Sequence, residues 1–598
     1  MASLQMTIVR LVALVLQLAT ASHTALLSQK AVFGSSFSDI YRPLIVPFVF
    51  AVSMARFLRQ RKGSRSARRI HAATVVYSTA IPFVARSVGE YTGMLLGPWL
   101  GAFVMDCVCF YPILIGAGSM AARIFHSSTS KAAKSALGEA GASGLRMVLI
   151  ALFTTRLFMI CEGRIIGRLY VPLLVAVLPR GYMAFKQAVV INTAATAVLA
   201  LLSPPRKFTL PLVACAIALQ ISYFGAQTNF GNTDLSAIDN GGIVASTIST
   251  TGYISVVSKP EKGYLALRND HSLLGGDYIK PPPSVAIPKG AVWTREPIYS
   301  SFAMQEAVRL VTPAPVGVEQ DGKQVNNALV IGLGIGTCAK ALVSHGIATD
   351  VVELDTAVLQ YAVDYFEFPI NQSRVTICDG RYFAHSLAQT LKYSPEAAAE
   401  EGLRTYDYVV HDVFTGGVVS PTLFTTETWE DIRGIMSPDG VLVVNLGGDF
   451  ATTFTRTMLR TLVQGFRDSG GKCRAFREDA PPDSSSSSSS SDDGAQDFTN
   501  AVVFCRRARG GAIGFRQPTE EDYLGSIVRH QSLVLKHEIE LPVYLRDSEE
   551  ALDLRGEAGW RTIADDSTNR VSMQAADGAA RHWWLMNGVL GWRGWALW

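Results

Sequence analysis

A glycine-rich turn followed by two acidic residues could bind the nucleoside part of a cofactor. Gly332, Gly334 and Gly336 directly follow an apolar stretch, and Glu353 and Asp355 end the next one, about twenty residues further on. Glycine lets the backbone turn sharply and approach a ligand, and an acid at this spacing can bind ribose hydroxyls. The alternative is a glycine-rich turn without a ligand, and the acidic strand end argues against it. The stretch therefore predicts a nucleoside-containing cofactor.

These residues lie in a regular alternation of predicted strands and helices. Asp379, followed by Gly380, ends a third predicted strand, and Asp412 ends a fourth. An acid such as Asp379 could accept a hydrogen bond from the exocyclic amine of adenine. Strands that alternate with helices and carry acids at their carboxyl ends predict a doubly wound α/β sheet. The predicted strands cover 374–381, 406–412 and 440–445, and the predicted helices cover 356–366 and 423–436.

A small β subdomain is expected before this sheet, at residues 244–310. Apolar and polar residues alternate over 251–258 and 264–268 around a turn, which predicts a β-hairpin. His271 stands in a second predicted turn, where it could act in catalysis or have a structural role. A helix is predicted over 301–310, directly before the strand that leads into the glycine turn.

Two less regular parts are expected towards the end of the chain. A serine-rich segment over 481–497 is predicted to be a disordered loop within the α/β domain of residues 311–515, before a last strand over 498–505. Residues 516–598 are predicted to form a helical extension rich in tryptophan, with a helix over 519–536. Its tryptophans are expected either at a membrane interface or packed against the catalytic domain.

The first 230 residues are predicted to form a membrane bundle of roughly seven or eight helices. The chain is 48% hydrophobic and 17% charged, and most of its long apolar runs fall in this region. Several runs reach the length that a helix needs to cross a bilayer. The first is either a cleaved signal peptide or, as we prefer, a retained span. The runs cover 8–27, 38–55, 71–88, 93–122, 147–161, 166–179, 184–203 and 208–225.

Charged residues set the expected orientation of this bundle. The short loop between two predicted spans over residues 56–69 is rich in Lys and Arg. The positive-inside rule places such a loop in the cytosol, and counting the spans onward also places the α/β domain there. Asp106 and Arg156 interrupt apolar runs, where they would either pair with each other or belong to a transport pathway.

Composition argues against nucleic-acid binding and against a metal centre. The net charge of +4 is too small to indicate a nucleic-acid partner, and no binding signature is present. The eight cysteines have no C-x-x-C spacing and no paired histidines, so no metal site is predicted. They are expected to be reduced, buried thiols in a non-oxidising compartment.

A set of motifs in the second half of the chain matches a known family. The motifs are Gly332-Leu-Gly-Ile-Gly336, Val352-Glu-Leu-Asp355, Asp379-Gly380, Tyr406-Asp-Tyr-Val-Val-His-Asp412, Leu423-Phe424, Ser437-Pro-Asp-Gly440 and Phe302-Ala-Met-Gln-Glu306. Together they resemble the spermidine/spermine synthases (polyamine aminopropyltransferases), over roughly residues 244–470. The resemblance implies the fold of S-adenosylmethionine-dependent methyltransferases. A membrane bundle before such a domain resembles membrane-fused members of the family.

The resemblance also implies roles for individual residues. Glu353 would bind the ribose hydroxyls, Asp379 the adenine amine and Gln305 the nucleoside, and Asp412 would be the catalytic aspartate. The donor would be S-adenosylmethionine or its decarboxylated form, without a metal. Because this donor is a sulfonium cation, a carboxylate such as Asp412 can take or orient the acceptor amine's proton for in-line displacement. The alternative for Asp412 is a structural cap of the following loop. The expected cofactor site also includes Gly332, Gly334, Gly336, Asp355 and Gly380.

Three departures from the family pattern bear on the acceptor. The glycine turn lacks the family's Asp, the family's Tyr is Met304, and Thr415 replaces the second acid after the catalytic strand. A polyamine is a polycation that needs several carboxylates, so these changes argue against putrescine. The glycine turn looks more like that of an ordinary methyltransferase, whose backbone amides can bind a donor carboxylate.

The sequence thus predicts a membrane-anchored transferase that alkylates an amine, as in polyamine biosynthesis. One alternative is a methyltransferase acting on an amine, a lipid-soluble substrate or a protein. Another is a membrane transporter or sensor whose α/β domain only binds the nucleoside. The expected partners are a small-molecule amine or another acceptor, and a membrane, with no nucleic acid; a homodimer is left open.

Overall fold

The structure is a computed structural model that describes most of the second half of the chain and part of the first. The described residues are 36–59, 64–128, 235–281, 293–320, 323–413, 420–450, 452–478, 498–507, 512–541 and 562–590, with single positions between 14 and 34 and at 211, 214, 218 and 595. Arg156, nearly all of the apolar runs between 147 and 225, the loop 414–417 and the serine-rich segment 481–497 lie outside them.

The chain divides into two compact units. The first comprises residues 1–234, 245–248 and 595–598, and the second comprises residues 235–244 and 249–594. The described helices of the first unit are α1 (Ser36–Arg59), α2 (Ser64–Cys109) and α3 (Tyr111–Ser128). Helix α2 consists of two helical segments that meet at a kink at Gly97, whose φ of 68° is not helical.

Among the described residues, Tyr91–Cys109 is the helical stretch long and apolar enough to cross a bilayer. The multi-span bundle therefore stays a prediction. The buried carboxylate of Asp106 pairs with Arg42; Arg156, the partner considered from the sequence, lies outside the described residues. Arg42 Nε donates to Asp106 at 2.7 Å and the Tyr41 hydroxyl donates at 2.8 Å. A buried carboxylate needs such a partner because its desolvation is costly, so this pair is a sufficient structural explanation for the charge.

A five-stranded sheet lies at the start of the second unit, and residues 245–248 of its first strand are grouped with the first unit. Its elements are the short helix α4 (Ala237–Asn240), β1 (Gly242–Ile248), β2 (Tyr253–Lys259), β3 (Tyr264–Asn269), β4 (Ser272–Tyr278) and β5 (Glu296–Pro297), in the order β1-β2-β3-β4-β5. The predicted hairpin is confirmed as β2 and β3. The turn predicted after His271 is wrong, because residues 272–278 form strand β4. Gly276 lets strands β3 and β4 approach closely, because a Cβ on this residue would lie 2.5 Å from the Leu265 carbonyl oxygen.

An α/β domain follows, with these elements in chain order. They are α5 (Ser300–Met304), β6 (Val311–Thr312), β7 (Val318–Gln320), β8 (Lys323–Val325), β9 (Asn327–Ile331), α6 (Thr337–Ser344), β10 (Ala348–Glu353), α7 (Thr356–Phe366), β11 (Ser373–Ile377), α8 (Gly380–Tyr393), α9 (Pro395–Glu400), β12 (Tyr406–His411), α10 (Thr426–Ile435), β13 (Met436–Asp449), α11 (Thr453–Arg467), β14 (Lys472–Arg477), β15 (Phe498–Arg506), β16 (Gly514–Phe515), α12 (Glu520–Tyr523), α13 (Ile527–Ser532), β17 (His537–Ile539) and α14 (Thr568–Leu590).

The central sheet has eight strands in the order β11-β10-β9-β12-β13-β15-β14-β17. Strands β9 to β13 pair in parallel, and β15 runs antiparallel to β13. This is the doubly wound sheet expected from the sequence. The strand order reverses at β9, whose neighbours are β10 and β12. Ligands bind at the carboxyl ends of the strands at such a switch point.

Helices cover both faces of this sheet. On one face, Trp429 of α10 and Leu462 of α11 are fully buried in an apolar cluster. On the other, Leu342 of α6 packs with residues of the 3₁₀ helix Gln305–Leu310. The two clusters hold the strand ends in fixed register, which is what positions the loops described below.

Two predicted helices are broken in the structure. The helix predicted over 301–310 is α5 followed by the 3₁₀ helix Gln305–Leu310. The helix predicted over 519–536 is α12 and α13, separated by Leu524 and Gly525 with φ of 50° and 73°. A left-handed conformation at both residues ends the first helix.

The expectation that the cysteines are reduced thiols is wrong for one pair. Cys473 of β14 and Cys505 of β15 are direct cross-strand partners and form a disulfide. Sequence spacing could not indicate it, because the two residues are brought together by a strand that was not predicted. Cys107, Cys109, Cys338 and Cys378 are free thiols.

Helix α14 carries part of the tryptophan-rich extension. Trp583 is buried and stacks on the His271 imidazole, with a ring-centroid distance of 4.9 Å. This contact lies within the second unit, so Trp583 packs against the catalytic domain. His271 is therefore a packing residue, and burial lowers the pKa of its imidazole well below the usual value.

Candidate functional site

A cavity of about 600 Å³ lies at the carboxyl ends of β9, β10, β12 and β13. That volume is typical of pockets for nucleoside-sized ligands. Its lining includes Gly332, Leu333, Gly334, Glu353, Asp379, Gly380, Asp412, Asn445, Glu478, Phe498 and His582. Six of the predicted site residues thus meet around one space, whereas Gly336, Asp355 and Gln305 do not line it.

The glycine turn brings the backbone of two loops into contact. Gly332 has φ of 88°, and a Cβ there would lie 2.1 Å from the carbonyl oxygen of Asp412. Gly334 has φ of 55°, and a Cβ would lie 2.5 Å from the Leu274 carbonyl oxygen. No side chain fits either distance, so glycine is required for the turn to pass between the β12 loop and the β subdomain. Gly336 precedes α6.

Glu353 is held at the end of β10 by backbone amides. Its carboxylate accepts hydrogen bonds from Leu333 N and Asp355 N, each at 2.8 Å. Burial raises the pKa of Glu353, and these two amides oppose the increase. A carboxylate fixed in this way faces the cavity with lone pairs to spare, so it can bind hydroxyl groups of a ligand.

Asp355 has a structural position. It caps α7 by accepting from Ala357 N at 2.8 Å, and it also accepts from Thr251 N at 2.9 Å and Thr251 Oγ1 at 2.7 Å. It is fully buried. The aspartate therefore joins the β subdomain to the sheet, next to a cavity wall that includes Thr251.

Asp379 and Gly380 begin helix α8 at the cavity rim. Asp379 is exposed and accepts a hydrogen bond from Tyr382 N at 3.0 Å, which caps the helix. A Cβ on Gly380 would lie 2.4 Å from the Ile331 side chain. Glycine is therefore required for the start of α8 to pack against Ile331 at the end of β9.

Asp412 lies at the end of β12 and faces the end of β13. Asn445 Nδ2 donates a hydrogen bond to Asp412 Oδ1 at 2.8 Å. Burial raises the pKa of Asp412 to about 6, while Asn445 and the nearby Gln305 amide lower it. The side chain is thus ionised at neutral pH and basic enough to accept a proton. Gln305 is fully buried behind it.

Sequence reasoning missed several lining residues. Asn445 had a usable signal, because it ends a predicted strand just as the acids do. Glu478 had none, because it follows strand β14, which was not predicted. His582 comes from α14, far along the chain, and packs on Phe498 at a ring-centroid distance of 5.4 Å. Burial lowers the pKa of His582 to about 3, so its imidazole is neutral.

Glu478 lines the cavity and is held in place by neutral hydrogen-bond donors. It accepts from Ser300 N at 2.8 Å and from Asn500 Nδ2 at 2.9 Å. Other lining residues include Tyr299, Phe302 and Met586. The described residues contain no cluster of three or more His, Cys, Asp or Glu side chains that could hold a metal ion.

The centre of the α/β domain matches a known family of protein domains. Residues 313–464 match the Spermine/spermidine synthase domain, which confirms the resemblance over that range. A polyamine aminopropyltransferase of Vibrio vulnificus is 33% identical over 123 residues, which are 20% of this chain and 36% of that protein. A probable spermidine synthase of Corynebacterium glutamicum covers 50% of this chain and 95% of its own, with 15% identity and a TM-score of 0.31.

A longer match is found with a fungal protein. The N-terminal histidine N-methyltransferase of Emericella nidulans is 38% identical over 397 residues. The match covers 65% of this chain, and the chain spans 65% of that protein's length. The relatives described here are thus transferases of two kinds, one named for polyamines and one for an N-terminal histidine.

Proposed function

We propose that this protein is an S-adenosylmethionine-dependent methyltransferase that methylates a nitrogen of an N-terminal histidine in a peptide or protein. The reaction type agrees with the transferase relatives, and the acceptor follows the name of the fungal one. The observation that carries the proposal is the position of Asp412, which lines the cavity, accepts a hydrogen bond from Asn445 and can take a proton from the acceptor.

The departures from the family pattern at the glycine turn, Met304 and Thr415 support a neutral acceptor better than a polycation. A polyamine carries several ammonium groups, each of which needs a carboxylate or an equivalent acceptor when it is desolvated. Aromatic residues Tyr299, Phe302 and Phe498 line the cavity. They provide flat apolar surfaces against which an imidazole ring can pack.

The residues of the site would have separate roles in binding the donor, aligning the acceptor and accepting its proton. The backbone amides of the glycine turn and Glu353 bind the donor's nucleoside and carboxylate ends, so that the sulfonium methyl group points towards Asp412. The acceptor nitrogen attacks that methyl carbon with its lone pair, and the carbon–sulfur bond breaks to leave a neutral thioether. Asp412 aligns the acceptor through its N–H and takes the proton that the alkylated nitrogen system releases.

The decisive experiment compares two donors on one peptide. The full chain is incubated with a histidine-first peptide and either S-adenosylmethionine or its decarboxylated form, and the product is located by tandem mass spectrometry. We expect a single methyl group on the first residue, and none on the same peptide with Ala in the first position. Transfer of an aminopropyl group, or methylation independent of the first residue, would contradict the proposal.

Aminopropyl transfer is the second candidate, because residues 313–464 match the Spermine/spermidine synthase domain. It requires the decarboxylated donor to bind more tightly than S-adenosylmethionine, which calorimetry on the full chain can measure. The missing acid in the glycine turn argues for the reverse order of affinities.

We also propose that the first unit is embedded in a membrane. The apolar stretch Tyr91–Cys109 and the apolar runs of the sequence support this. Extraction of the full chain from membranes by carbonate would argue against it.

A further inference from the structure

A second cavity, of about 430 Å³, lies beside the first one. Glu478 lines both cavities and so forms a shared wall. The second cavity is bordered by Arg477 at the end of β14 and by Lys536 and His537 at the start of β17. Its volume is sufficient for a small polar group and its neighbours.

The second cavity is lined by two cationic side chains, Arg477 and Lys536, and by one carboxylate, Glu478. Arg477 and His537 are direct partners on adjacent antiparallel strands, so two basic side chains point to the same face. Arg477 Nε is buried without a hydrogen-bond partner among the described residues. A buried donor in this state carries a desolvation cost that an anionic ligand would remove.

Nearby acids are already engaged. Both oxygens of Glu538 accept from Arg474, at 2.6 Å from Nε and 2.6 Å from Nη2. Glu478 is turned towards Ser300 and Asn500. Arg474 therefore has a carboxylate partner, whereas Arg477, three residues later on the same strand, has a cavity in front of it.

We infer that the second cavity binds a carboxylate of the acceptor peptide, from an Asp or Glu that follows the methylated residue. The inference rests on the proposed function for the identity of the acceptor. Because Glu478 borders both cavities, they are close enough for one extended peptide to contact both. The cavity then selects peptides by the charge of their next few residues, not by their first residue.

The test measures peptide binding separately from turnover. Two histidine-first peptides that differ only by Asp/Glu against Asn/Gln at positions two to four are labelled at their C-termini. Their affinity for the full chain, with S-adenosylhomocysteine present, is measured by fluorescence anisotropy. We expect the acidic peptide to bind about fivefold more tightly. The double variant Arg477→Gln with Lys536→Gln should lose this preference and keep its affinity for the amide peptide.

Arg474→Gln is the matched control, since it removes a positive charge from the same strand outside the cavity, and the preference should survive it. Equal affinity of the two peptides, or a preference that persists in the double variant, would overturn the inference. Acidic-peptide binding without any methylation would count against the proposed function and leave the cavity assignment standing. Methylation without a charge preference would support the proposed function and overturn the cavity assignment.

Discussion

Asn445 Nδ2 donates a hydrogen bond to Asp412 Oδ1 at 2.8 Å, and this bond joins the carboxyl ends of two adjacent parallel strands. Because a carboxylate can only accept at neutral pH, the amide NH₂ must face Asp412 and the amide oxygen must face elsewhere. Asn445 lines the cavity, so the pair can both stabilise the ionised base and contact the acceptor.

The activity should rise with pH through a midpoint set by Asp412. Burial raises the pKa of this carboxyl to about 6, and proton acceptance requires the ionised form. We expect kcat/KM to increase from about pH 5 and to level off above about pH 7. The Asn445→Ala variant should move the midpoint upwards by about one pH unit, because the lost hydrogen bond favours the charged form.

Asn500→Ala is the control for that shift. Asn500 also lines the cavity, but it donates to Glu478 and not to Asp412. The pH midpoint of kcat/KM for Asn500→Ala should match that of the parent protein. A pH profile of Asn445→Ala that overlays the parent profile would remove this hydrogen bond from the account of Asp412's basicity.

Asp412→Asn should lose activity and gain stability. Turnover should fall by at least about 100-fold, since the proton acceptor is gone. The carboxyl's pKa is higher in the folded protein than its usual 3.8, so the folded state binds the proton more tightly than the unfolded state. Stability therefore falls as pH rises from about 4 to about 6, and the cost above that is about 3 kcal/mol.

The variant removes this cost, so its thermal midpoint should exceed that of the parent at pH 7. The difference in thermal midpoint should disappear near pH 4, where the side chain of residue 412 is neutral in both folded proteins. An Asp412→Asn protein that is both inactive and less stable at pH 7 would indicate a structural role for the carboxylate, such as a cap of the following loop.

Gly332→Ala should abolish donor binding. The new Cβ would lie 2.1 Å from the Asp412 carbonyl oxygen, so the glycine turn and the β12 loop would have to separate. Gly346→Ala is the matched control: Gly346 also has a positive φ, of 74°, but open space around its Cβ position. Calorimetry with S-adenosylhomocysteine should show binding to the control and not to Gly332→Ala. Equal binding would mean that the turn can open without cost.

The disulfide between Cys473 and Cys505 bears on the compartment in which the α/β domain lies. Disulfides persist in oxidising compartments, whereas the basic loop at residues 56–69 predicts a cytosolic α/β domain. Thiol labelling of the protein taken directly from cells decides between them. If the cysteines are bonded in cells, Cys473→Ser with Cys505→Ser should lower stability by about 3 kcal/mol; if they label as free thiols, the cytosolic orientation stands.

The sequence predicted the parts of the site that lie on consecutive strands. Gly332, Glu353, Asp379 and Asp412 each lie at the end of a predicted strand, and parallel strands bring their carboxyl ends to one edge of the sheet. Local periodicity is sufficient to predict these positions. The same spacing was misleading at Asp355, which has the right spacing for a ligand residue but caps a helix instead.

The remainder of the site depends on long-range pairing. Strand β14 has Lys472, Arg474 and Arg477 among its six residues and shows little apolar signal, so Glu478 could not be placed. Helix α14 reaches the cavity because Trp583 packs on His271, a contact between residues more than three hundred positions apart. No local pattern encodes such a contact.

Strands β14 and β15 flank the serine-rich segment, and the bond between Cys473 and Cys505 ties them together. Closing a longer loop between fixed ends costs little more than closing a short one. Glu478 and Phe498, at the two ends of the segment, are therefore set by the paired strands and not by the length of what joins them. Insertions and deletions in the serine tract can then accumulate without altering the shape of the catalytic cavity.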